Sequence, residues 1–199
     1  ENNSYYRQQY FASISKNLGS LGFLLKGEVA IQNFNRAIAY IKKAVDINPN
    51  DYDLNFNWGT YLAKIGDTKE SLQAKEYYLQ ALDKFEIALK IEPNHEEQYK
   101  LYYNYGTVLF ELALISTGHE MEQFTDQALD KLKDSIANKR SYCYRLALCY
   151  FLKKDLKSAY KYLKRSLSNK EVTLEEKKKK KIITSYMTDE VLREILKTN

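Results

Sequence analysis

The feature that most narrows the fold is a recurrence. "AIAYIKKAVDINPN" ends at Asn50, and "ALDKFEIALKIEPN" ends at Asn94. Both run Ala, three residues, a large apolar residue, two residues, Ala, and both close in Pro-Asn. The marks are Ala37, Ile41, Ala44 and Pro49, then Ala81, Phe85, Ala88 and Pro93. Apolar groups three and four apart line one face of a helix, and the Pro-Asn after them is a stop signal. A helical unit that returns at a fixed period predicts an array of repeats.

A second pattern lies upstream of these helices. "NFNWGTYL" carries Trp58, Gly59 and Leu62; "YYNYGTVL" carries Tyr105, Gly106 and Leu109. A small residue between large ones lets two helices approach closely at that point. Four units can be laid out on such small residues. The first has Phe11, Ile14, Ser15 and Leu18, then Ala37 and Ile41. The second has Asn55, Trp58, Gly59 and Leu62, then Ala81 and Phe85. The third has Tyr102, Tyr105, Gly106 and Leu109, then Ala128 and Leu132. The fourth has Cys143, Leu146, Ala147 and Tyr150, then Ala159 and Leu163. A large residue before a Gly, then an Ala and a large residue, then a Pro, is the signature of the tetratricopeptide repeat. The chain resembles that family over roughly residues 8–170.

Ser15 to Ala37, Gly59 to Ala81 and Gly106 to Ala128 are each 22 residues apart, whereas Ala147 to Ala159 is 12. Only the last fits the family's repeat of about 34 residues. Ten extra residues in each of three units predict taller hairpins, lengthened on both sides of the turn. "KESLQAKEYYLQALDKFEIALKI" and "HEMEQFTDQALDKLKDSI" read as long second helices. In the first unit, "SYYRQQYFASISKNL" reads as a helix. The three glycines of "GSLGFLLKGEVAI" predict an irregular apolar turn tucked under the helices, with an exposed hook for a partner as the alternative.

Composition agrees with an all-helical chain. Seven Gly and two Pro among 199 residues are few for sandwiches or barrels, which need many tight turns. The 44% hydrophobic content is enough for one domain or a short repeat array. The expected architecture is an all-α, right-handed α-solenoid of tetratricopeptide-type hairpins. Its units span about 4–50, 51–94, 95–140 and 141–170, the first three with elongated helices. Residues 171–199 are expected to form a C-terminal capping helix pair, "TLEEKKKKKIITSYM" and "DEVLREILKTN", the second capped by Thr188 or Asp189. The five lysines Lys177–Lys181 read as a solvated face of that cap, paired in part with Glu175 and Glu176.

Nothing in the sequence points to catalysis. His95 and His119 lack a second His or Cys at ligand spacing, so no metal is expected. No phosphate loop and no nucleophile elbow occurs, and no cofactor is implied. Cys143 and Cys149 are six apart, which on a helix sets them about 120° from each other. They read as buried free thiols, compatible with a reducing compartment such as the cytoplasm. No run reaches the roughly 20 apolar residues that span a bilayer. The chain starts at Glu1 rather than Met, which leaves room for an upstream signal or anchor. The net charge of +5 is modest, and the Lys177–Lys181 run has no interleaved aromatics, so nucleic acid is not the expected partner.

The resemblance implies that the first helix of each hairpin lines a concave groove that binds extended peptides or partner helices. It implies that the residue two before the small one faces the groove: here Asn57, Asn104 and Arg145. A side-chain amide offers both a donor and an acceptor, which suits any peptide backbone. Beside them lie Phe56, Thr60, Lys100, Tyr103, Thr107, Tyr144 and Leu148. Lys100 and Arg145 suggest a cationic centre for an acidic protein or peptide ligand. Ala12 stands where the family's chaperone-tail clamp needs a basic residue; only Lys16, Asn57 and Lys100 match. The alternative expectation is a self-associating scaffold, or a complex subunit docking through its convex face or end helices.

Overall fold

The computed structural model describes residues 2–136 and 143–167, and within them it contains eight α-helices and no strand. They are α1 (Asn2–Leu24), α2 (Gly27–Val45), α3 (Tyr52–Gly66), α4 (Ser71–Ile91), α5 (Gln98–Ile115), α6 (Gly118–Ile136), α7 (Cys143–Leu152) and α8 (Leu156–Leu167). Each odd helix packs on the even helix that follows it, giving four antiparallel hairpins. The chain falls into two compact units. Residues 1–95 hold the α1/α2 and α3/α4 hairpins, and residues 96–199 hold α5/α6 and α7/α8. Within the first unit α2 also packs on α3; within the second α6 packs on α7. The Lys177–Lys181 run and the expected capping pair lie outside the described residues.

The repeated apolar marks form the core. Ala37, Ile41 and Ala44 on α2 are fully buried, as are Ala81, Phe85 and Ala88 on α4 and Ala128 and Leu132 on α6. The small residues opposite them explain how close the helices come. A Cβ on Gly59 would lie 2.6 Å from the Phe85 ring and 2.9 Å from the Ala81 carbonyl oxygen. One on Gly106 would lie 2.6 Å from Leu132 Cγ. Neither distance is tolerable, so only glycine fits at these crossings.

The stop after α2 is held by side chains. Asp51 caps α3, accepting from the Leu54 amide at 3.0 Å, and its other carboxylate oxygen accepts from buried Gln8 of α1 at 2.8 Å. Asn55 donates to the Pro49 and Asp51 carbonyls. The Pro-Asn turn is thus tied to α1 and α3, which satisfies groups that a helix end leaves unpaired.

One expectation is overturned. The stretch from Gly19 is not an irregular turn: α1 runs on to Leu24, and α2 begins at Gly27, leaving only Leu25 and Lys26 between them. Gly19 and Gly22 do not break the helix, because they are where neighbours press on it. A Cβ at Gly19 would fall 2.0 Å from the Tyr61 hydroxyl of α3, and one at Gly22 would fall 2.6 Å from the Phe34 ring of α2. The glycine that turns the chain is Gly27, at φ +62°.

Candidate functional site

The candidate residues sit on first helices, as expected from their spacing. In the first unit, Asn57 and Thr60 lie half-buried on α3. The Thr60 hydroxyl donates back to the Phe56 carbonyl at 2.9 Å. Phe56 itself stands between Tyr52 and Phe85, with ring centroids 6.1 Å from each. Tyr52, Phe56 and Phe85 thus form an aromatic cluster, and Phe56 is next to Asn57 in sequence.

In the second unit, Lys100, Tyr103, Asn104 and Thr107 lie half-buried on α5, and Tyr144, Arg145 and Leu148 lie half-buried on α7. The two helices meet through Arg145, whose Nη1 donates to Glu111 Oε1 of α5 at 2.7 Å while the guanidinium lies 5.4 Å from the centroid of the Phe110 ring. Lys100 is paired with Glu97, one turn earlier on its own helix end. Each cation assigned to the groove thus already has a carboxylate within its unit. Sequence reasoning missed Glu111. Its signal would have been the 34-residue separation from Arg145, one repeat length, joining adjacent first helices.

Burial pushes the Tyr144 hydroxyl above its ordinary pKa, with the Arg145 charge opposing it. The hydroxyl oxygen of Thr107 is buried with no hydrogen-bond partner, unlike that of its counterpart Thr60. Cys143 and Cys149 on α7 are free and buried, and burial pushes the Cys149 thiol up to about 12, so it is a packing group and not a nucleophile. Among the described residues no group of three or more His, Cys, Asp or Glu could hold a metal ion. No described helix is long and apolar enough to cross a membrane.

The tetratricopeptide repeat model matches residues 29–51 and 141–172. No curated protein matches the sequence at a significant level. Among solved structures, the chain is similar to "MamA 41-end from Desulfovibrio magneticus RS-1", with a TM-score of 0.63 at 18% identity, covering 94% of each chain. It is also similar to "MamA RS-1 ArsTM double mutant", with a TM-score of 0.60 at 21% identity, covering 81% of this chain and 74% of that one. The repeated Ala and Gly marks, the four hairpins and these matches agree on an all-helical repeat fold built of tetratricopeptide-type hairpins.

Proposed function

We propose that the chain is a non-catalytic interaction module that takes a peptide segment or partner protein on the first helices of its hairpins. The observation that carries this reading is a repeated amide. Asn57 stands two residues before Gly59 and Asn104 two before Gly106, each half-buried on a first helix whose glycine is fixed by packing. Within each unit, a side-chain amide held at this register can pair with a peptide backbone whatever its side chains are. Thr60, Thr107, Tyr103, Tyr144 and Leu148 flank the amides with small polar and flat apolar surface. Lys100 and Arg145 would favour an acidic group, in exchange for Glu97 and Glu111. The test is a pull-down from the source organism with wild-type chain and with Asn57→Ala/Asn104→Ala, and with Lys100→Glu/Arg145→Glu. Loss of the same partner in both variants, at unchanged helicity, is expected. Full-strength capture by both would remove the first helices from the site.

A second reading has its own observation. Tyr5, Tyr6 and Tyr10 on α1 are 58%, 68% and 63% exposed, a run of aromatic surface on an end helix that suits self-association or docking in a complex. Sedimentation velocity of wild-type chain and Tyr6→Ser/Tyr10→Ser separates the two: a scaffold loses its assembly in the variant, whereas a peptide receptor does not change.

A further inference from the structure

We propose that the outward face of α8 is a docking surface for a short acidic helix of a partner protein. The helix reads "LKSAYKYLKRSL" and carries no Asp or Glu. Lys157, Lys161 and Lys164 are all exposed. Spaced by four and three residues, they form a single stripe, with steps of about 6 Å and about 4.5 Å along the axis. Tyr160, 41% exposed, sits within the stripe. Between Cys143 and Leu167 the one acid is Asp155, against seven Lys and Arg. Its carboxylate is turned to the start of α8, where it accepts from the Ser158 amide at 3.1 Å. Among the described residues, no carboxylate forms an ion pair with Lys161 or Lys164, and Asp155 acts on Lys157 only as a nearby charge.

Three features select the occupant. The apolar side of α8 is already used: Ala159, Leu163 and Ser166 are buried in the hairpin, with Tyr162 stacked on Tyr150 at 5.4 Å. A helix that lies on a membrane needs that apolar side for the acyl boundary, so a lipid surface fits poorly. The charge is also local. Residues 1–142 carry 16 Lys and Arg against 19 Asp and Glu, so a long polyanion such as a nucleic acid would find no net attraction over that part of the chain. An acidic helix avoids both problems. Glu residues at i, i+4 and i+7 reproduce the lysine spacing, and lysine recognises carboxylates as a point charge without the forked geometry that phosphate sites favour.

This surface is independent of the amides on the first helices, and the experiment separates the two. Fluorescence anisotropy would follow a labelled helical peptide with Glu at i, i+4 and i+7, alongside a scrambled peptide of the same composition, each titrated with the full chain at low salt. The ordered peptide should bind roughly tenfold tighter than the scrambled one and weaken as salt screens the contacts. Lys157→Glu/Lys161→Glu/Lys164→Glu should abolish binding, and the milder Lys157→Gln/Lys161→Gln/Lys164→Gln should reduce it. Asn104→Ala should leave it unchanged. Equal binding of the scrambled peptide, or undiminished binding by the Glu variant, would overturn the proposal. So would tighter binding of oligothymidylate, or of phosphatidylserine vesicles, lost in the same variants.

Discussion

Arg145 of α7 and Glu111 of α5 form an ion pair at 2.7 Å that ties one first helix to the next, and both side chains are mostly shielded, at 28% and 23% exposure. Glu111 therefore has two effects on the molecule. It holds the α5–α7 contact, and it occupies the charge that the proposed site would offer a ligand. Glu111→Gln leaves a half-buried guanidinium with a weaker partner, which should cost about 1 kcal/mol. Thermal unfolding should fall by a few degrees for a chain of this size. If Arg145 contributes to ligand capture, the same variant should bind acidic peptides more tightly than wild type, and isothermal titration would read that gain against the loss of stability.

Trp58 of α3 lies between two cations, Lys42 of α2 at 5.8 Å and Lys84 of α4 at 4.6 Å from its ring. The ring thereby links both hairpins of the first unit. Lys84 is the nearer and the more shielded cation, so Lys84→Met, which keeps the stem and removes the charge, should destabilise by about 0.5–1 kcal/mol. Lys42→Met should cost less. A Trp58→Phe background should shrink the Lys84 effect, and a double-mutant cycle by urea denaturation measures the difference.

The glycine crossings give a sharper stability test. A side chain at Gly59 meets both the Phe85 ring and the Ala81 carbonyl, and the second of these is backbone that cannot swing away. Gly59→Ala should therefore lower stability despite its better helix propensity, and Gly59→Leu should lower it by at least about 1–3 kcal/mol. Melting that is unchanged in both variants would mean that α3 and α4 do not cross at Gly59.

These crossings also show what could be read from sequence and what could not. Ala37, Ile41, Ala81 and Phe85 declared their buried face because the period of a helix is local, and the core follows from it. Gly59 and Gly106 were legible for the same reason, being small residues at a fixed place in a repeated pattern. Gly19 and Gly22 were not. A glycine reads as a breaker until the ring that presses on it is known, and here the rings come from Phe34 and from Tyr61, which is 42 residues beyond Gly19. The candidate site divides similarly. The positions of Asn57 and Asn104 followed from register, whereas the carboxylate facing Arg145 comes from another helix and left no local trace.

Lys154 ends α7 in a left-handed conformation, with φ +60°, while the Asp155 amide closes the turn onto the Tyr150 carbonyl at 3.0 Å. Helices commonly end this way with glycine, which has no Cβ to strain. Lys154→Gly should raise stability by about 0.5–1 kcal/mol in equilibrium denaturation, less whatever flexibility it adds to the unfolded chain. Lys154→Ala removes the same side-chain charge without relieving the backbone and should give no comparable gain.

Stability should also fall in alkali, in two separable steps. Burial raises the Cys149 thiol from 9.0 to about 12 and the Tyr61 hydroxyl from 10.0 to about 12. Well below pH 9 the folded and unfolded chains both largely keep these protons, so neither group makes stability depend strongly on pH. Above it the unfolded chain releases the Cys149 proton while the folded chain holds it. The unfolded state then binds fewer protons, and stability declines by up to about 1.4 kcal/mol per pH unit for each such group. Tyr61 joins one unit higher, and both contributions level off as the pH nears 12. Cys149→Ala should flatten the curve between pH 9 and 10 without changing the Tyr61 step above it. Native chain should accordingly resist thiol alkylation at pH 8 and react at Cys149 once urea unfolds it, because only the exposed thiol forms appreciable thiolate there.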